Sequence, residues 1–130
     1  MGKLQKEGLN EEKWVLRNIG KKCCTFTYPE KEDGKTLVMK GILKDRVAFL
    51  TKSITQITQF IDVIDLIEFE FKKKKTTAIR FGYYRKSSDE KWRWGSQTTL
   101  TEDIDILKAL FRKAVKEKSW FKQFLTDVLS

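Results

Sequence analysis

The sequence predicts an α+β fold: a short N-terminal helix, an antiparallel barrel-like sheet of about five strands, and two C-terminal helices. Three observations lead there. Residues 10–20 and 101–128 carry apolar side chains at helical spacing. The stretch between them is rich in β-branched and aromatic residues and is broken by turn chemistry. The 130-residue chain is 40% hydrophobic, with nine Phe, four Trp and one Pro, which supplies one core and no obvious linker. A single domain over residues 1–130 is expected.

The first element is NEEKWVLRNIG (residues 10–20). Asn10 suits the cap, Glu11 and Glu12 suit the positive end of the dipole, and Gly20 suits the exit. Trp14, Val15 and Ile19 form its apolar stripe. CCTFTY (23–28) then reads as strand, and PEKEDGK as a turn ending in Asp33-Gly34. TLVMKGIL and RVAFL continue as strand, with Lys44-Asp45-Arg46 a bulge or tight turn between them.

Residues 54–61, ITQITQFI, stay ambiguous: Ile54, Ile57 and Ile61 have helical spacing, yet Thr and Ile favour strand. VIDLIEFEF (63–71) reads as strand, with Val63, Ile67, Phe69 and Phe71 on one face and Asp65 the polar exception there. TTAIRFGYY (76–84) and KWRWGSQTTL (91–100) make a hairpin. Thr101 is expected to cap a helix with Glu102, Asp103 and Asp105 in its first turn. Its apolar face holds Ile104, Leu107, Leu110, Phe111 and Ala114. Ser119 is expected to cap a last helix that turns Trp120, Phe121, Phe124, Leu125 and Val128 inward.

A short helix followed by a hairpin with a glycine in its second strand resembles the opening of an Sm-like or SH3-like barrel. That likeness is one of layout, covers about a third of the chain and carries no functional residues with it. The run IRFGYYRK…WGSQTTLTE…KAVKEKSWF resembles one shared by small uncharacterised prokaryotic proteins. It covers roughly the C-terminal half, and implies a prokaryotic origin and no particular activity.

The chain has no histidine, which removes Ser-His-Asp and Cys-His nucleophile systems, histidine metal sites and the commonest general base. No GxxxxGK or GxGxxG run is present to cradle a phosphate. Catalysis is therefore not the expected role, and no cofactor is implied. One enzyme reading survives. Glu70-Phe71-Lys72 has the E-x-K spacing of metal-dependent nucleases, with Asp62, Asp65 and Glu68 nearby. The simpler reading makes Glu68 and Glu70 the solvent face of an amphipathic strand.

Charge points elsewhere. Of a net charge of +9, residues 71–93 contribute the largest share, with nine Lys/Arg against two Asp/Glu. Clustered cations attract polyanions through counterion release, so DNA or RNA is the expected partner and an acidic protein the alternative. Strand parity divides the basic-aromatic hairpin. If Tyr83 pairs with Trp92 and Phe81 with Trp94, those four rings face the core and a four-residue loop, Lys86–Asp89, joins the strands. Arg80, Tyr84, Lys91 and Arg93 then share the outer face. The candidate nucleic-acid-binding residues are Lys72, Lys73, Lys74, Lys75, Arg80, Tyr84, Arg85, Lys86, Lys91 and Arg93, with Tyr84 the candidate for base stacking.

The adjacent Cys23 and Cys24 are expected to point to opposite faces and stay as free thiols, which suits a reducing cytoplasm. No apolar run is long enough to span a membrane, and MGKLQKEG lacks the apolar stretch of a signal peptide. A cytoplasmic protein without a membrane partner is expected.

Overall fold

The structure, a computed structural model, describes residues 13–29, 36–52, 59–71, 73–86, 91–95 and 102–130. Five antiparallel strands follow one another as a meander: β1 (Lys22–Pro29), β2 (Thr36–Lys52), β3 (Gln59–Phe71), β4 (Lys74–Lys86) and β5 (Trp92–Trp94). A helical turn, α1 (residues 13–16), precedes them, and α2 (Ile104–Glu117) and α3 (Ser119–Leu129) follow. This is the α+β plan that the sequence predicts, with the sheet curled into a half-barrel. Among the described residues, no helix is long and apolar enough to cross a membrane.

One extra residue decides what β2 presents. Leu43 pairs with Ile67 and Asp45 with Leu66, so Lys44 is left over as a bulge. A bulge reverses the in-out alternation beyond it. Leu43 before it and Arg46 and Ala48 after it therefore share the face that α1 covers, while Val47 and Phe49 turn toward α2 and α3.

The sheet is buried on both sides. On one, Val47 and Ile64 pack with Leu110, Ala114 and Phe121 of the C-terminal helices. On the other, Ala48, Ile61 and Val63 pack with Val15 of α1, ringed by Trp14, Leu50, Tyr84, Trp92 and Trp94. β3 contributes to both cores, which explains why VIDLI reads as a nearly continuous apolar run. Each such side chain contributes roughly 1.5–3 kcal/mol when fully buried.

The segments that flank the sheet are pinned to it. Gly20 takes a positive φ of 89° and donates its N–H to the Leu43 carbonyl at 2.6 Å; the helix ends at Leu16, so this glycine joins the turn to β2 rather than forming the helix exit expected of it. Asn10, Asp33-Gly34, Ile54, Ile57 and Thr101 lie outside the described residues. The cap of α2 is Asp103, whose Oδ1 accepts the Asp105 N–H at 2.8 Å. Ile104, expected to lead the apolar stripe, is 70% exposed, and Val128 is 64% exposed, because the core ends at Leu110 and Phe121. At the α2–α3 junction Asp45 accepts from Lys118 Nζ at 2.8 Å and Trp120 Nε1 at 2.9 Å. Burial works to raise the Asp45 pKa, but these donors and the Arg46 N–H outweigh it and hold the carboxyl below its ordinary value.

Two expectations change. Cys23 and Cys24 bring their sulfurs together on one side rather than pointing to opposite faces. The reason is a second irregularity: Lys22 pairs with Ile42 and Cys24 with Gly41, so Cys23 is the bulged residue and alternation fails there. Both sulfurs lie over Gly41, where a Cβ would stand 2.8 Å from Cys24 Sγ.

The β4–β5 register also differs. Tyr84 pairs with Trp94, Arg85 with Arg93 and Lys86 with Trp92, three residues away from the expected alignment. An odd shift moves every β5 side chain to the opposite face. Glycines explain the choice. The Trp94 ring lies over Gly82, where a Cβ would meet Cζ2 at 2.8 Å, and the Tyr83 ring lies over Gly95. Each bulky ring faces a residue with no side chain. The helix-side face, where Trp92 and Trp94 were expected, is taken by Phe111, whose ring stacks on Phe81 at 5.8 Å.

Candidate functional site

The centre of the α1-covered face is an ion cluster strung across three strands. Arg46 of β2 is the direct partner of Asp65 of β3, and Asp65 is the direct partner of Arg80 of β4. Arg46 grips the carboxylate bidentately, Nε to Oδ1 at 2.6 Å and Nη2 to Oδ2 at 3.0 Å. Its Nη1 donates to the Val15 carbonyl and the Tyr84 hydroxyl, each at 3.0 Å. Arg80 reaches Asp65 Oδ2 from the other side, with Nη2 at 2.8 Å and Nε at 3.2 Å. The cluster thus holds two guanidiniums against one carboxylate. Burial alone would lower the Arg46 pKa, but Asp65 outweighs it and raises the value, so Arg46 stays charged.

Arg80 also stacks on Trp94 at 4.5 Å, and Tyr84 meets the edges of Trp14 and Trp94 at 5.8 and 5.0 Å. Arg80 and Tyr84 are therefore parts of a packed interior wall, not the open outer face that the expected register gave them. The wall borders a pocket of about 310 Å³, reached by Lys22 from the start of β1 and Asn18 from the turn between α1 and β1.

The remaining candidates fall in two groups. Lys73, at a positive φ of 65°, turns the β3–β4 connection, and Lys74 and Lys75 follow it, all exposed. Lys75 lies 3.9 Å from Glu68. Lys72 is outside the described residues. At the far end of β4, Arg85 and Arg93 oppose each other in register, both exposed, with exposed Lys91 beside them. Lys86 turns to the other face and lies over Trp92 at 5.6 Å. From Lys75 to Arg85 the strand runs roughly 33 Å, so the two groups do not merge into one patch.

Glu70 is exposed and opposite Lys75. Among the described residues, no group of three or more His, Cys, Asp or Glu is placed to hold a metal ion.

A second unusual group sits on the helix side of β3. Asp62 is 1% exposed, and neither carboxylate oxygen meets a donor among the described residues. Burial, then the neighbouring Glu102 carboxyl, push Asp62 up to about 8. Asp62 therefore holds its proton at neutral pH.

Sequence reasoning passed over Arg46, Lys22 and Asn18. The available signal was Asp65, an acid on an apolar strand face, which requires a buried cation opposite it. Which cation answers depends on the Lys44 bulge. No protein-family model, curated protein or solved structure matches the chain.

Proposed function

We propose that the protein binds nucleic acid without catalysing its cleavage, through the exposed cations at the two ends of β4. The observation that carries this reading is the Arg85–Arg93 pair, two exposed arginines directly opposite each other in the ladder. Their side-by-side placement lets one phosphate meet two guanidiniums at once. Lys91 and the Lys73–Lys75 turn extend the phosphate contacts. Phe81, 42% exposed and on the same face of β4 as Arg85, takes over the stacking role first assigned to Tyr84. Fluorescence anisotropy with labelled single-stranded and duplex DNA and RNA tests it. Binding that weakens as salt rises, and is lost in Arg85→Glu/Arg93→Glu, supports the reading; no binding at low salt refutes it.

A second reading, an interaction module for an acidic protein, has its own observation. Ile104, Leu107, Phe111, Val115 and Leu125 line an apolar groove of about 550 Å³ on α2 and α3. Lys108, Arg112 and Lys116 border it at successive i+4 positions on α2. That combination suits an amphipathic helix with an acidic flank. Charge reversal at Lys108 and Arg112 separates the readings: it abolishes a protein complex and leaves anisotropy with nucleic acid unchanged.

A further inference from the structure

We propose that the pocket beside the Arg46–Asp65–Arg80 cluster is a binding site for a small organic anion carrying a phosphate or carboxylate group. It is a different site from the exposed cations of β4. Arg80 lies on the opposite face of that strand from Arg85, so either proposal stands without the other.

The first argument is charge. Lys22, Arg46 and Arg80 reach the pocket, and among the described residues no carboxylate lines it. Asp65, fully buried behind the wall, balances one of the two guanidiniums. The lining therefore carries an excess of positive charge at a partly enclosed surface, where an anion is attracted more strongly than in open water.

The second argument is preorganisation. Arg46 is held by four hydrogen bonds to Asp65, Val15 and Tyr84. Arg80 is fixed twice, by Asp65 on its Nε/Nη2 edge and by the Trp94 ring. Those Asp65 bonds leave the Nη1 donors of Arg80 over, on a guanidinium already ordered and with 24% of its side chain exposed. Ordering an arginine is a large part of the cost of binding with one, and here the fold has met it beforehand. A fork of this kind matches planar carboxylate and tetrahedral phosphate oxygens.

The third argument is composition and size. Asn18 brings an amide donor, Lys22 an exposed ammonium, and Trp94 and Tyr84 an aromatic wall. About 310 Å³ lies at the small end of ligand pockets. That volume suits a metabolite-sized anion and excludes a folded protein segment.

The test is titration of the full chain with inorganic phosphate and, separately, with succinate, against sodium chloride at matched ionic strength. Binding is read by Trp fluorescence and by ¹H–¹⁵N spectra at Arg80 Nε and Trp94 Nε1. Saturable shifts at those two groups with either probe, absent with chloride, support the site, and the tighter probe identifies the anion class. Lys22→Gln, at an exposed residue, weakens binding by about tenfold, and Arg80→Gln abolishes it, as loss of a charge-assisted hydrogen bond requires. Arg85→Glu/Arg93→Glu leaves it unchanged. Absence of saturation with both probes, or indifference to Lys22→Gln, overturns the proposal; Lys22→Gln keeps it testable should Arg80→Gln fail to fold.

Discussion

Arg46 and Asp65 stand directly opposite each other on β2 and β3 and share a bidentate ion pair whose side chains are 1% and 0% exposed. Desolvating two charges offsets most of their attraction, so such a pair adds little net stability. Its effect lies in what happens when it is broken. Asp65→Asn leaves Arg46 buried without its counter-ion and is expected to cost about 3–5 kcal/mol. Arg46→Met/Asp65→Leu removes both charges and is expected to cost less than the single change. Urea unfolding of the two variants decides; equal losses would mean that packing, not charge, dominates there.

Asp62 makes stability depend on pH in the direction opposite to most acids. The Asp62 value in the folded chain is raised to about 8 from an ordinary 3.8. The folded state therefore binds the extra proton between those values. Its contribution is fully present below about pH 4 and is lost as pH rises toward 8. Asp62→Asn is expected to flatten this slope and to be more stable than the native chain at pH 8. Thermal melts across pH 4–9 measure it, and an unchanged slope in the variant would refute the assignment.

Asp45 has the opposite sign. Its folded value lies below the ordinary one, so its contribution is present above the ordinary value and is lost as pH falls through the folded one. Asp45→Ala removes the acceptor for Lys118 and Trp120 and is expected to cost about 1–3 kcal/mol. Amide exchange should rise first around residues 117–121, at the α2–α3 junction. Exchange that rises uniformly would show that Asp45 does not pin that corner.

Gly82 has room for no side chain beneath Trp94. Gly82→Ala forces the indole away and is expected to destabilise by about 1–3 kcal/mol, with a red shift of Trp emission. Trp94→Leu made on top of it should recover part of the loss. If Gly82→Ala folds with native stability and emission, the Trp94–Gly82 contact does not set the register.

How much of this could be read beforehand depends on the range of the interaction. Helix and strand types follow from local spacing and propensity, so α2, α3 and the strands were legible; at Lys44-Asp45-Arg46 the sequence left a bulge or a tight turn open, and the ladder makes it a bulge at Lys44. Asp65 was visible as an acid out of place. The β4–β5 alignment was not, because matching apolar faces admits more than one register and the decision rests on Trp94 meeting Gly82 and Tyr83 meeting Gly95.

By itself, then, the sequence determined an α+β chain with a basic β4 region and no histidine-based chemistry. Only the tertiary structure decided that Arg80 and Tyr84 turn inward and that Arg46 joins them. It alone opposed Arg85 to Arg93 and separated them from the lysine turn. The physical reason is parity: each bulge or register shift of an odd number of residues reverses which side of the sheet a side chain faces. Those shifts are set by packing between strands, where composition and local periodicity carry no information.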